Sequence, residues 1–541
     1  MTSNSHPILD LPVELFHTVL SHLPNRDIKS LRLVSKQFCD SVELRLSRVF
    51  LSANPLNIKV FRAVADHNKF RYKITEIVWD DTRVSRGPRP DIIDPRRGIF
   101  LPNSDLSDNE IEESFDEEDS DHEHFEDDED LDSIQRVKNS ENFNRQNCPL
   151  WFKAGCVESL ERIFDRRSGP VLLPQDCPTM RELCSTGPSL SECWEFYRGL
   201  VRKQDDVLAG GYDEEAFVYG LEQFPALNKV TVTPAAHNML FTPFYQTPMI
   251  RAFPRGFIYP VPYGWPTSLT EEPEDVITFP WQGVDERHRE KYRGFRIVIR
   301  ALAQQKHNVV ELSLDARQRF TGINCTIFDE PCPEYDHFVK VLKKPGFRHL
   351  DLPFIFGGRT FESNWESFRN GRLYAALSEA VNLEEFSFYT AGLDYYVECQ
   401  EPPITTAPVL LERIFPLEKW PKLRHFELSR FIVSQADLIL CLSKLPDTLR
   451  SVKLSFLVFV DNGNLWRVFL TEMRRQIRER HLWPDRRPKF IIGTEQGGHC
   501  QGEAVWFEKD IESFLYEDGE CPFKDSRGNR RSWIWNTERC I

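Results

Sequence analysis

Apolar residues recur at helical spacing in the opening stretch of the chain, ILDLPVELFHTVLSHLPNRDIKSLRLVSKQF, which runs from Ile8 to Phe38. A first stripe consists of Leu11, Leu15, Val19 and Leu23, and a second of Ile28, Leu31, Val34 and Phe38. Pro12 suits the first position of a helix, Pro24 follows the end of that helix, and Ser35 can cap a third one. The pattern predicts a compact unit of three short helices. Because so short a segment buries little apolar surface, it needs either the rest of the chain or a second protein to pack against.

A different pattern recurs later: an apolar residue, two intervening residues, then two apolar residues separated by one. It occurs in ITEIVW (74–79), LNKVTV (227–232), VVELSL (309–314), FRHLDL (347–352), LEEFSF (383–388), LRHFEL (423–428) and LRSVKL (449–454). This L-x-x-L-x-L spacing is typical of the strand of a leucine-rich repeat, and plausible helices such as DHFVKVLKK and GRLYAALSEA lie between the segments. The last five segments start 38, 36, 40 and 26 residues apart, which is longer and less regular than the usual repeat of about 20–29 residues. We predict an α/β fold, a short irregular solenoid with a parallel sheet; unrelated strand–helix units in an open parallel sheet are the alternative.

The polar positions inside these strands are predicted to share one face of the sheet, because side chains alternate between the two faces of a strand. They are Glu311, Ser313, Asp315, His349, Asp351, Glu385, Ser387, His425, Glu427, Ser451 and Lys453. The face is polar and mixed in charge. It is either a binding surface or a solvated face without a role.

Two long insertions, 80–145 and 233–295, each follow directly after a predicted strand and should emerge from the same rim of the sheet. In FTPFYQTPMIRAFPRGFIYPVPYGWP (241–266), prolines alternate with aromatic residues. Proline lowers the cost of ordering a loop, and aromatic side chains supply contact area. We therefore predict that this loop contacts a protein substrate; the alternative is that it only covers the surface of the solenoid. The candidate contact residues are Phe244, Tyr245, Phe257, Tyr259, Tyr263 and Trp265.

The formal net charge of −15 comes from one segment. Residues 101–132 hold 17 of the 83 acidic residues and no Lys or Arg, which leaves 66 acidic against 68 basic residues elsewhere. Like-charge repulsion and low apolar content predict a disordered insertion over residues 101–145. Ser107, Ser114 and Ser120 each precede an acidic residue by three positions, as acidophilic kinases prefer. The near-neutral remainder lacks the basic footprint of a nucleic-acid-binding protein.

The 13 cysteines have no framework spacing and the N-terminus does not resemble a signal peptide, so we expect reduced thiols in the cytoplasm or nucleus. The longest apolar run, LSFLVFV (454–460), is strand-sized, and no membrane span is predicted.

Motifs of covalent chemistry are not found in the sequence. His499–Cys500 begins like a phosphatase loop, but Trp506 stands where that loop requires an arginine. The cysteines lack the close pairs of structural zinc sites, and there is neither a phosphate-binding G-x-x-x-x-G-K-[ST] loop nor a G-x-S-x-G elbow. We therefore expect no catalytic residues, no metal and no cofactor.

The opening helices resemble the F-box, a three-helix motif that docks onto the Skp subunit of SCF ubiquitin ligases. LDLPVELFHTVLSHLPNRDIKSLRLVSKQF follows the family pattern from the Leu11–Pro12 pair to the final LRLVSKQF. The resemblance covers residues 1–50 and implies an apolar Skp-binding surface, with cullin and RING subunits reached through Skp. The residues that it assigns to Skp binding are Leu11, Pro12, Leu15, Leu23, Leu31, Val34 and Phe38. The degenerate repeats with the closing segment MRRQIRERHLWPDRRPKFIIG are similar to F-box proteins of filamentous fungi.

The expected domain order combines the resemblance with the strand pattern. The F-box (1–50) is followed by a linker helix and first repeat strand (51–100), the acidic insertion (101–145), the repeat domain (146–480) and a C-terminal capping segment (481–541). The cap is expected to contain the strand KFIIG (489–493) after a helix over 465–482. The resemblance implies a substrate-recognition adaptor of an SCF-type ligase. The rival is a scaffold that binds Skp outside any ligase.

Overall fold

The structure is a computed structural model. It describes residues 11–87, 148–164, 182–183, 186–262, 264–266, 280–282, 286–316, 321–355, 366–391, 409–460, 465–479, 487–495 and 504–523. The predicted acidic insertion, residues 101–145, lies outside the described residues.

The chain begins with three short helices, α1 (Val13–His22), α2 (Asn25–Val34) and α3 (Lys36–Ser41). The Ser35 side chain accepts a hydrogen bond from the Phe38 amide and caps α3, as predicted. Phe16, Leu20, Ile28, Phe38 and Val42 form a small core of their own, separate from the larger cores of the chain. The helical unit is thus held together by few apolar side chains.

The other helices follow these three in the chain. They are α4 (Pro55–Ala65), α5 (Leu150–Phe164), α6 (Leu190–Gly210), α7 (Tyr212–Gln223), α8 (Pro248–Arg251), α9 (Glu286–Glu290), α10 (Arg293–Gln304), α11 (Pro333–Leu342), α12 (Glu366–Arg369), α13 (Arg372–Ser378), α14 (Gln435–Ser443), α15 (Leu465–Glu479) and α16 (Lys509–Tyr516). Short 3₁₀ helices lie at Phe70–Lys73, Cys325–Phe328, Leu411–Arg413 and Leu417–Lys419. Among the described residues, no helix is both long enough and apolar enough to span a bilayer.

The strands are β1 (Arg48–Ser52), β2 (Glu76–Asp80), β3 (Lys229–Thr233), β4 (Glu311–Leu314), β5 (Ile323–Asn324), β6 (His349–Ile355), β7 (Glu385–Ala391), β8 (His425–Ser429), β9 (Ile432–Val433), β10 (Ser451–Ser455), β11 (Val458–Phe459), β12 (Lys489–Glu495) and β13 (Ala504–Phe507). Eleven of them form one sheet in the order β1-β2-β3-β4-β6-β7-β8-β10-β12-β13, with β5 beside β6. All pairs are parallel except β12–β13. The strands along the main path of this sheet therefore follow one another in chain order, and the prediction of a mainly parallel sheet in an α/β fold is confirmed.

Each recurring apolar segment of the sequence forms a strand in the same register. Leu312, Leu350, Phe386, Phe426 and Val452 lie opposite one another along the sheet and are almost fully buried. They pack with the apolar sides of the helices in one continuous core. The alternation of apolar and polar positions thus separates a helix-covered face from the face that carries the polar side chains.

Two neighbouring units share a backbone feature at the end of the strand. Arg430 after β8 and Phe456 after β10 have φ values of 51° and 53°, a left-handed conformation that is uncommon for residues other than glycine. Each residue turns the chain into a short strand, and these two strands, β9 and β11, pair in parallel. The sequence stretches LSRFIV and LSFLVF therefore repeat a structure as well as a pattern.

Candidate functional site

The helical unit leaves apolar side chains in contact with solvent. Leu15 on α1 is 54% exposed and Val34 on α2 is 60% exposed, and other exposed apolar residues of these helices are Val13, Val19 and Leu33. Among the remaining residues predicted to bind Skp, Pro12 is exposed, whereas Leu11, Leu23 and Leu31 are half-buried against the unit's own core. We call Pro12, Val13, Leu15, Val19, Leu33 and Val34 the N-terminal apolar set.

Phe38 differs from the other residues predicted to bind Skp. Its side chain is buried at 3% exposure among Phe16, Leu20, Ile28 and Val42. The expectation that Phe38 lies on the binding surface is therefore corrected: the ring holds the three helices together from inside. The sequence pattern did not distinguish the two roles because both need an apolar residue at helical spacing.

Ion pairs and backbone hydrogen bonds tie the helical unit to the sheet. The Glu43 carboxylate bonds Lys73 and Lys69, and the hydrogen bond and charge of Lys73 lower the pKa of Glu43. The Ser47 carbonyl accepts hydrogen bonds from the amides of Thr75 and Glu76 at 2.8 and 3.0 Å. The end of the helical unit is thus anchored at the start of β2.

The aromatic loop predicted to contact a substrate is mostly buried. Tyr245, Phe257, Tyr259 and Trp265 are each less than 5% exposed. Phe244 is 37% exposed, and Tyr263 lies outside the described residues. Four of the six candidates therefore belong to the protein interior, and the expectation that they form an accessible rim is corrected.

The buried aromatic side chains of this loop are fixed by specific polar contacts. The Tyr245 hydroxyl donates to Asp315 Oδ2 at 2.5 Å, and Trp265 Nε1 donates to Asp81 Oδ2 at 2.9 Å. Tyr245 also packs with Val78, Ala236 and Phe50 over the first strands. Phe257 and Tyr259 stack at 4.7 Å in a second core that α5 and α6 complete. The insertion therefore covers the sheet at β1–β3, which agrees with the alternative that it is a cover.

From β4 onward, the polar positions of the strands form two continuous rows. The first row consists of Glu311, His349, Glu385, His425 and Ser451, and the second of Ser313, Asp351, Ser387, Glu427 and Lys453. We call these ten residues the polar face. The sequence predicted these ten residues and Asp315 to share one face, and the strand register confirms it for the ten.

Hydrogen bonds link the polar face from strand to strand. Ser313 Oγ donates to Asp351 Oδ2 at 2.5 Å, and His349 lies within 2.9 Å of both Asp351 and Glu385. Burial by itself would raise the pKa of Asp351, but the hydrogen bonds and charge of His349 outweigh it and the pKa is lowered. These residues form a partly shielded charge network rather than a row of independent solvated groups.

Trp506 completes the far end of this surface. It lies opposite Gly493 across the antiparallel β12–β13 pair, and its ring is on the same side as Lys453, whose Nζ is 4.8 Å from the ring centroid. Lys453 in turn bonds Glu427 at 2.8 Å, and the Phe456 ring meets the indole edge to face at 5.9 Å. The indole is 41% exposed. Tryptophan is among the residues that are enriched at protein–protein interfaces.

In the sequence, Trp506 stands out only as the residue at the position where a phosphatase loop requires an arginine, so its place at the end of the polar face was not predicted. The available signal was Gly493 inside the strand KFIIG: a glycine within a strand often marks a close approach of another group. A Cβ placed on Gly493 would come within 2.6 Å of the Trp506 ring.

Two buried carboxylates lie at the end of β2, below the aromatic loop. Desolvation raises the pKa of Asp80 to about 7 and that of Asp81 to about 6. Asp81 accepts hydrogen bonds from Trp265 Nε1 and from the Gly294 amide, both at 2.9 Å, so it joins the loop to α10. Asp80 Oδ1 accepts from the amide and hydroxyl of Thr82, while Oδ2 has no hydrogen-bond partner.

Within the part of the chain that the structure describes, no group of three or more His, Cys, Asp or Glu side chains is arranged to hold a metal ion. The expectation of no catalytic residue and no cofactor stays a prediction.

Comparison with known proteins identifies the helical unit. Residues 8–49 match the family model of the F-box domain. The chain therefore carries an F-box domain at the position that the sequence pattern indicated. No curated protein matches the chain.

Proposed function

We propose that the chain is a substrate-recognition adaptor of an SCF-type E3 ubiquitin ligase, which binds the Skp subunit through its F-box and a protein substrate through its sheet. The F-box domain supports the general role as an SCF-type adaptor and a Skp partner. The single observation that carries the Skp contact is that Leu15 and Val34 are more than half exposed although they belong to the apolar stripes.

Burial of apolar side chains supplies the energy of the proposed Skp contact. Complete burial of one Leu or Val side chain is worth about 1.5–3 kcal/mol. The N-terminal apolar set contains several such side chains on two neighbouring helices, which suits a helix-in-groove contact. Phe38 acts within the unit and positions these helices.

For the rest of the chain we propose an irregular leucine-rich-repeat solenoid. Support comes from strands that follow one another in chain order, in a constant register, with the recurring apolar segment in each. In such arrays each unit packs only on its neighbours, so units of unequal length are tolerated. F-box proteins of filamentous fungi remain the proteins that this arrangement resembles on sequence grounds.

We propose that the substrate binds at the polar face together with Trp506, instead of at the aromatic loop. The loop residues are occupied in covering β1–β3, whereas the polar face from β4 to β10 presents charged groups and a partly exposed indole. Bound there, a substrate would be held near a ubiquitin-charged enzyme brought by the cullin and RING subunits. The adaptor raises the effective concentration of two reactants and performs no covalent step itself.

The rival proposal is a scaffold that binds Skp without a cullin. Affinity purification of the full chain from cells separates the two proposals. Recovery of Skp together with cullin and RING subunits is expected for the adaptor, in the cytoplasm, the nucleus or both. Recovery of Skp alone would favour the scaffold, and absence of Skp would contradict both.

Substitution of Trp506 tests the substrate surface separately. Trp506→Ala should reduce recovery of proteins trapped under proteasome blockade and leave recovery of Skp unchanged. Tyr72→Ala is the matched control, because Tyr72 is also an exposed aromatic residue and lies outside the polar face. Equal recovery of trapped proteins by wild type and Trp506→Ala would contradict binding at this face.

A further inference from the structure

The imidazole of His349 lies between two carboxylates. Its Nε2 is 2.9 Å from Asp351 Oδ2, and its Nδ1 is 2.8 Å from Glu385 Oε2. A neutral imidazole carries one N–H, so it can donate to one carboxylate and turns a lone pair toward the other. The imidazolium donates to both. Both distances are those at which an imidazolium donates to each carboxylate.

We propose that His349 is a protonation switch that sets the charge and the interstrand links of the polar face. With its proton bound, His349 joins Asp351 on its own strand β6 to Glu385 on β7. Loss of the proton breaks one of these two links and adds one unit of negative charge to the face.

The link to Glu385 is the one that breaks. Asp351 Oδ2 also accepts a hydrogen bond from Ser313, so its carboxylate stays in place whether or not His349 is charged. The Glu385 side chain is 50% exposed, and water can replace its contact with His349 at little cost. The deprotonated state therefore keeps Nε2–H on Asp351 and releases Glu385 toward solvent.

Charged and titratable groups share the face of the sheet around His349, on its own strand β6, on the neighbouring strands β4 and β7 and on the next strands beyond them, β3 and β8. They are Lys229 on β3, Glu311 on β4, Arg348 before β6, Asp351 on β6, Glu385 on β7, and His425 and Glu427 on β8. Burial lowers the pKa of His349, as does the charge of Lys229, but the hydrogen bond and charge of Asp351 and the hydrogen bond of Glu385 outweigh them. The net pKa is raised above the ordinary value of 6.5. The protonated state of His349 therefore persists to a higher pH than that of an ordinary histidine.

Substrate capture would follow this switch, a consequence that rests on the proposed function. The switch itself is a property of the isolated chain. Its test needs neither Skp nor a substrate, so failure of the proposed function would leave the result of that test unchanged.

Titration by nuclear magnetic resonance of the full chain, labelled with ¹³C at histidine Cε1, measures the protonation of His349 directly. The His349 signal is assigned by its loss in His349→Gln. We expect a pKa above 6.5 and a decrease of about 1 unit in Glu385→Gln, because one favourable charge is removed. A pKa at or below 6.5, or no change in Glu385→Gln, would overturn the proposal.

Stability measurements give a second readout. The raised pKa of His349 means that its stabilising effect is complete below pH 6.5 and is lost as the pH rises through the folded-state pKa. The stability difference between wild type and His349→Gln should therefore shrink with rising pH. His425→Gln is the matched control, since His425 occupies the same row but its Nδ1 bonds the Ser451 hydroxyl. An equal pH trend in both variants would contradict the special role of His349.

Discussion

The indole of Trp506 lies directly on Gly493 across the β12–β13 pair. The glycine provides the space for the ring, and the ring closes the end of the polar face beside Lys453 and Phe456. A strand added in antiparallel orientation thus places an exposed aromatic side chain at this end of the polar face.

Gly493→Ala should displace the indole. The added Cβ would lie 2.6 Å from the Trp506 ring, so the ring must shift or the strands must separate. We expect a loss of about 1–3 kcal/mol in the free energy of unfolding and a change in tryptophan fluorescence. Gly199→Ala in α6 is the control: nothing lies within 4 Å of its Cβ position, and a gain of roughly 0.5–1 kcal/mol is expected. The same sign for both variants would contradict the packing described.

At position 456, glycine should give a more stable protein than alanine, which is the reverse of the usual order of these two residues. Its φ of 53° is favourable for glycine and strained for a residue with a Cβ. Both Phe456→Gly and Phe456→Ala remove the ring that packs on Trp506. The difference in stability between the two variants therefore measures the effect of the backbone conformation. Phe456→Gly should be more stable than Phe456→Ala by about 1 kcal/mol in urea unfolding. A more stable alanine variant would show that φ at this position is negative.

Asp80→Asn should stabilise the protein increasingly as the pH rises. Desolvation raises the pKa of Asp80 from 3.8 to about 7. The neutral acid therefore makes its full contribution to the stability of the wild type below pH 3.8, and that contribution is lost as the pH rises to 7. The asparagine stays neutral and can still accept the hydrogen bonds from Thr82. Between pH 4 and pH 8, the stability of the variant relative to wild type should increase by about 2–4 kcal/mol.

Asp351→Asn is the control for this pH dependence. Its pKa is lowered, so the stabilising effect of Asp351 is complete above pH 3.8 and is lost as the pH falls through the lower folded-state pKa. The stability of this variant relative to wild type should therefore fall as the pH rises toward 3.8. Chemical unfolding at several pH values measures both variants. A flat difference for Asp80→Asn would show that its carboxylate is not desolvated.

Periodicity predicted the strands that carry the apolar repeat. Leu350 and Leu352, or Phe386 and Phe388, alternate with polar residues, and that alternation requires one buried and one open face. It also predicted the polar face. The charge network on this face could not be predicted, because the partners of His349 depend on a strand register that spans 36 residues of intervening chain.

Some short elements could not be predicted, because their sequences contain too few residues to show a periodic pattern. The strand β1 directly follows the helical unit, and the predicted boundary at residue 50 falls inside it; β13 has only four residues in an antiparallel pair. The aromatic loop was misjudged for a different reason. Alternating proline and aromatic residues indicate an ordered loop, but not whether Tyr245 and Trp265 face solvent or the sheet. Asp81 and Asp315, which hold these two side chains, are distant in sequence.

The central claim is that exposed apolar side chains of the first two helices bind the Skp subunit. Isothermal titration calorimetry of the full chain with purified Skp tests it, using Leu15→Asp with Val34→Asp as the variant. Both side chains are more than half exposed, so the fold should be retained, while a charge in an apolar contact should weaken binding about 30-fold or more. Val468→Asp on α15 is the control, because its 53% exposure is similar. We predict that Val468→Asp binds Skp with wild-type affinity and that the Leu15→Asp, Val34→Asp variant does not. Wild-type affinity in both would contradict the account.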